Sequence, residues 1–490
     1  MRSVALSTTF VALLAGQPRR GQGVPGRRGL RSDLDEERGS GENQIPTKVG
    51  EDAFKTCYAY DNGHVQGWKR RLTFVNVYLV MAALYLGVAL LAAVDSSLTN
   101  FALIPWFNGL RWLRVHLITL GVLAQGLFGV LPNLVAIRAG RPKPRVRLEI
   151  WFLLNAGLLT LLVGIPLSNA VLIFTGGTLV FIAAFLLLRH LHQLGIQLPR
   201  LQTQRKGGPS GRNFYLAGLA FFLVGILAGT GLWLGWSVPL HMARPREVHL
   251  HANIWGLMSF AFAGLIVDLY PRFAGRSLAW PRTVRSIFWI MTGGSLLLLI
   301  GPWVGLTRFT GPGMILHLAG TAWLLLNVIV PLFGDRRTWS RPGVWHLLSA
   351  YYWVLTPLLA VPLMISGALT MPRPIIEQDA GQWLVYSWLL HFGYALLPYL
   401  FRRALLGSEA GELGGSWLSL VAVHLGYALF WAAIFIAPLR SPLYGSAYAL
   451  WALSMLPIVR QLWQIVQAGL FRLEESSVTL APAEVAVTDE

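Results

Sequence analysis

Apolar runs of roughly 17 to 25 residues, each long enough to cross a hydrocarbon core of about 30 Å as a helix, recur from one end of this chain to the other. In hydrocarbon every backbone N–H and C=O must be satisfied within the segment, so spans of this length call for helices rather than strands. Composition agrees. Of 490 residues, 54% are hydrophobic and only 13% charged, with a mean hydropathy of +0.54, too little polar surface to cover a soluble globule. The expected fold is an all-α polytopic membrane protein with the lipid bilayer as its first partner.

Twelve transmembrane helices are expected, at about 72–93, 112–137, 148–168, 170–190, 213–236, 249–271, 284–306, 312–333, 344–369, 383–403, 415–438 and 444–467. Residues 1–68 read as a disordered N-terminal cytoplasmic tail. Its short apolar run, Val4 to Leu14, resembles a weak signal or a mis-chosen start codon. Residues 69–470 form the transmembrane domain, and 471–490 an acidic C-terminal tail.

The formal net charge is +18, but the basic residues sit in short loops rather than on the single face that nucleic acid would need. No nucleic-acid partner is expected. Loops after even-numbered spans hold Arg138, Arg141, Lys143, Arg145 and Arg147, then Arg200, Arg205, Lys206 and Arg212, then Arg272, Arg276, Arg282 and Arg285. Arg336, Arg337, Arg341, Arg402 and Arg403 continue the series, and loops after odd-numbered spans are poorer in positive charge. This bias places both termini in the cytoplasm.

That topology sets the depth of the histidines. His116, His249, His251, His317 and His391 fall near the outer ends of their spans, and His424 lies nearer the midplane. His346 sits at the cytoplasmic start of span nine. Ionisable groups at membrane depth are costly and need a metal or a hydrogen-bond partner, and imidazole is a good ligand for haem iron and for copper. The six are therefore metal-ligand candidates, with hydrogen-bonded structural histidines as the other reading. The single cysteine, Cys57, leaves no covalent haem motif, iron–sulfur site or thiolate copper pair.

His249 and His251, at i and i+2, point about 200° apart on a helix, so one helix could serve two partners. Arg244 and Arg246 before span six, and Arg111 and Arg114 at the start of span two, could pair with haem propionates or act as interfacial anchors. Asp268 has Arg272 at i+4, which reads as a helix-end ion pair or as the start of a proton path. Tyr270, Tyr351, Tyr352, Tyr394 and Tyr427 do not single themselves out. A short repeat links His116…Gly121 with His251…Gly256, and His391-Phe392-Gly393-Tyr394 with His424-Leu425-Gly426-Tyr427, which suggests three four-helix units.

The segment His249-Leu250-His251-Ala252-Asn253-Ile254-Trp255-Gly256, running on to Tyr270-Pro271-Arg272, resembles the His-x-His helix of haem-copper oxidase subunit I, in the cbb-type oxidase and nitric oxide reductase branch. The resemblance implies a low-spin haem held by His116 with one of His249 and His251, and a high-spin, oxygen- or nitric-oxide-reactive haem on the other. One or two b-type haems, copper or non-haem iron, a cytochrome or quinol electron donor, accessory oxidase subunits and a prokaryotic cytoplasmic (inner) membrane follow from it. The family has its His-x-His on span ten rather than six. Neither its His-Pro-Glu-Val-Tyr motif nor a His-His pair is present, which leaves His317, His391 and His424 for a second metal. The ending Pro271-Arg272-Phe273-Ala274-Gly275-Arg276 also resembles the NnrS family of haem- and copper-containing membrane proteins, which implies a role in nitric oxide stress without fast turnover. A transporter with a histidine-lined path is the third reading.

Overall fold

The computed structural model of the chain describes residues 76–103, 111–196, 208–365, 367, 379, 381–406 and 412–478. The tail 1–68 with Cys57, the loop residues Arg200, Arg205 and Lys206, the side chain of Arg111 and the acidic end beyond 478 lie outside the described residues.

Among the described residues the protein is all helix. The long helices are α1 (Val77–Asn100), α2 (Trp112–Arg138), α3 (Leu148–Gly164), α4 (Ala170–Leu194), α5 (Arg212–Leu234) and α6 (Pro245–Phe273). They continue as α7 (Val284–Val304), α8 (Thr310–Ile329), α9 (Pro342–Ile365), α10 (Gly381–Leu405), α11 (Trp417–Phe435) and α12 (Arg440–Val478). Ten helices among the described residues are long and apolar enough to cross a membrane, and α3 is a shorter apolar helix of 17 residues. The chain is a multi-pass membrane protein. Because α12 runs on to Val478, the expected tail 471–490 begins as helix.

Side-chain oxygens start several helices by taking an orphan N–H of the first turn: Asn76 from Tyr78, Asn169 from Leu172 and Ser416 from Ser419. Helices α3 and α4, α7 and α8, and α11 and α12 pack as neighbouring pairs, and α12 returns against α1.

Three helices are set apart by burial. The most apolar stretches of α2, α6 and α10 are 67%, 83% and 83% buried, against 39–50% for the other seven qualifying helices, so these three lie innermost among the ten. Each central helix also widens into a π-helical segment: Leu117–Ala124 directly after His116, Ala252–Met258 directly after His251, and Val385–Leu389 just before His391. π segments redirect side chains and concentrate at functional sites. Here all three adjoin histidines.

Asp268 ties the centre to its neighbours. Its carboxylate accepts from Arg138 Nε of α2 at 2.8 Å, Tyr215 Oη of α5 at 2.8 Å and Gly211 N at 3.1 Å. Arg272 Nη1 reaches the Asp268 carbonyl at 3.3 Å. The carboxylate thus pairs with Arg138 while Arg272, its expected i+4 partner, bonds the Asp268 carbonyl, and the contacts form a clamp joining α2, α5 and α6 whose donors satisfy the carboxylate as a structural group.

Candidate cofactor site between the central helices

His116 and His249 meet across α2 and α6, with ring centroids 6.2 Å apart and planes 24° from parallel. His116 Nδ1 lies 2.7 Å from the Trp112 carbonyl, and His249 Nδ1 lies 2.8 Å from that of Gly225 on α5. A carbonyl only accepts, so each Nδ1 carries the proton and each Nε2 keeps a bare lone pair. This is the tautomer and the outer bond that metal-ligating histidines use. Trp112 stacks on His116 at 4.3 Å. Gly229 makes room for His249: a Cβ there would stand 2.6 Å from two atoms of the imidazole.

His251 points elsewhere, as its i+2 position requires, and its Nδ1 donates to the Leu298 carbonyl of α7 at 2.6 Å. It too presents a bare Nε2. His116, His249 and His251 are each half-buried as residues.

The other histidines do not join these in one layer. His317 is fully buried between two hydroxyls, with Ser259 Oγ 2.7 Å from Nε2 and Ser295 Oγ 2.9 Å from Nδ1. Both its nitrogens are engaged, and it is not grouped with His391 and His424. Those two are neighbours, with ring centroids 4.6 Å apart, and the third member of their group is His346 of α9.

His346 Nε2 donates to the Ser416 carbonyl at 3.0 Å, so its Nδ1 accepts from His391 Nδ1–H at 2.8 Å. His391 Nε2 is left buried without a partner, while His424 Nδ1 accepts from Trp353 Nε1–H at 3.0 Å. The cytoplasmic start assigned to His346 hid it, since hydropathy does not show which level of α10 lies beside the first turns of α9. Among the described residues no group of three or more His, Cys, Asp and Glu side chains has metal-holding geometry.

The arginines also separate. Arg244 pairs with Glu247 at 3.3 Å on the surface, and Arg246 is exposed at the start of α6. Arg114, two residues before His116, instead lies with its guanidinium 5.0 Å from the centroid of the Tyr448 ring of α12. Tyr448 Oη donates to Gln382 Oε1, Gln382 Nε2 reaches Asp379 Oδ1 at 3.2 Å, and Tyr444 Oη donates to Asp379 Oδ2 at 2.7 Å. Sequence reasoning missed this ladder. Its signal is the spacing of Asp379, Gln382 and Tyr386, and of Tyr444 and Tyr448, in steps of three and four that fall on one helix face.

Compared with known proteins, the chain matches no family model, no curated protein and no solved structure.

Proposed function

We propose that the chain binds haem between His116 and His249 and acts as an integral membrane redox protein of the haem-copper oxidase kind. The observation that carries this reading is the 6.2 Å separation of two imidazoles whose Nδ1–H groups are both tied to carbonyls. Imidazole nitrogens bond metals at about 2 Å, so His116 and His249, this close and each with a free Nε2, are the residues that would hold the haem. Haem bound there would supply a one-electron carrier. The chain orients both rings and, through the Trp112 and Gly225 carbonyls, raises their basicity as ligands.

His251, two residues beyond His249 and facing away from it, would hold the second haem, where oxygen or nitric oxide would bind. For copper or non-haem iron, His317, held between two serines, and the hydrogen-bonded His346–His391 pair leave no three-ligand set among the described residues. Arg244, engaged by Glu247, and exposed Arg246 would serve at the rim. In this reading twelve spans leave both termini in the cytoplasm of a prokaryote. Electrons come from a cytochrome or quinol, and accessory subunits cover part of the outward face.

Visible spectra of the purified protein, reduced minus oxidised and with carbon monoxide, test it. A Soret band with low-spin bands is expected, and His116→Ala or His249→Ala should abolish the low-spin bands. No Soret band in the wild type rejects the proposal and leaves the transporter. A low-spin spectrum with no carbon monoxide shift removes the reactive site at His251 and leaves a haem protein without turnover, as in the resemblance to NnrS.

A further inference from the structure

A cavity of about 230 Å³ lies on the arginine-rich side of the bundle, where the ends of α6 and α10 meet the start of α9 and Gln461 of α12. None of the histidines lines it. Two arginines do, Arg341 just before α9 and Arg402 in the last turn of α10. Arg402 has no hydrogen-bond or ion-pair partner among the described residues. Arg341 has Glu412 at 3.4 Å, and both members of that pair are more than half exposed, so water screens it. Gly343 and Val344, in the first turn of α9, also line the cavity and bring the positive end of that helix to the same space.

We propose that this cavity binds a phosphate group carrying a single negative charge, as in the phosphodiester of an anionic phospholipid. The lining charges, Arg341 and Arg402 against Glu412, leave one net positive charge to balance. Two guanidinium forks and a helix start offer more donors than the one plane of a carboxylate accepts, whereas a tetrahedral phosphate can take them. The volume is below the range of about 300 to 1,000 Å³ of drug-sized ligand sites, so it suits a small group such as a phosphate with its glycerol. The other walls are apolar, among them Phe273, Leu332 and Leu413, and the glycerol and first acyl carbons of a lipid would cover them where a free phosphate would leave them wet. Trp345 and Trp463, which follow the lining residues Val344 and Gln461 by one and two positions, are exposed as aromatic side chains at headgroup level are. Basic pockets between membrane helices take anionic headgroups for the same reasons.

The whole chain, stripped of lipid in a neutral detergent, is titrated with phosphatidylglycerol, with phosphatidylcholine and with inorganic phosphate, and apparent affinities are read from the rise in melting temperature. Phosphatidylcholine has the same phosphodiester with a cation beside it. Phosphatidylglycerol should bind the wild type at least about tenfold more tightly, the size of one charge-assisted hydrogen bond. Arg341→Gln and Arg402→Gln should each remove most of that preference. Arg285→Gln, which changes an exposed arginine outside the cavity, should keep it. Glu412→Gln frees Arg341 and removes a repelling charge, so it should enlarge the preference, and it keeps the test open if an arginine variant does not fold.

Inorganic phosphate that binds with the same dependence on Arg341 and Arg402, with no preference between the two lipids, keeps the phosphate site and removes the lipid. Equal losses in Arg285→Gln and Arg402→Gln would be general attraction to a basic surface and overturn the site. So would a Glu412→Gln protein with no gain, or a wild type stabilised by neither phosphatidylglycerol nor phosphate.

Discussion

The proposed haem axis depends on single atoms that neighbouring residues leave free. His249 keeps its Nδ1–H on the Gly225 carbonyl only because Gly229 has no side chain. Gly229→Ala would favour the helix by about 1 kcal/mol on propensity alone, yet the added methyl must push the imidazole away. The expected outcome is unchanged or improved thermal stability with at least about a tenfold loss of haem affinity, the scale at which outer partners of metal-bound histidines act. A Gly229→Ala protein with wild-type haem affinity would show that His249 is not held this way.

A second single-residue effect lies outside the bundle core. Asp335, in the loop between α8 and α9, is held below the usual carboxylate range, first by the Thr338 hydroxyl and then by the Thr338 N–H. Its folded pKa is depressed, so its contribution is present above the unfolded value and is lost as pH falls through the folded one. Asp335→Asn should therefore melt lower than the wild type at pH 7, and the gap should narrow as pH falls below the free aspartate value of about 3.9. A gap that stays constant from pH 7 to 3 contradicts the assignment.

The helices themselves were legible in hydropathy, because a segment that must satisfy its own backbone in hydrocarbon has little choice of structure. The π segments were not legible. Leu117–Ala124 is apolar throughout, and an extra residue in one turn leaves that pattern unchanged. The true partner of Asp268 was also hidden. Arg272 is the neighbour that i+4 spacing predicts, whereas Arg138 lies 130 residues away and is brought close only by packing of α2 on α6.

Across the whole molecule, α2, α6 and α10 are each the second helix of a four-helix stretch, each is central, and each carries a π segment beside a histidine. The hint of a repeat was legible, in the echo of His116…Gly121 by His251…Gly256. Which histidines meet was not, because lateral packing of helices leaves no mark in hydropathy: His317 looked equivalent to His391 until its two serines were seen. If the units are true repeats, an even number of spans separates equivalent loops, so the loops after α2, α6 and α10 must share one side of the membrane. The arginine bias predicts that this side is the cytoplasmic one. Single cysteines at Arg141, Ser277 and Leu406, in a Cys57→Ser background, should react with an impermeant maleimide only in inside-out vesicles. Cysteines at Ser237 and Arg308 should react only in right-side-out vesicles. Labelling of the first three from opposite sides would break the threefold relation, and with it the argument that the histidine-bearing centre is built from one repeated unit.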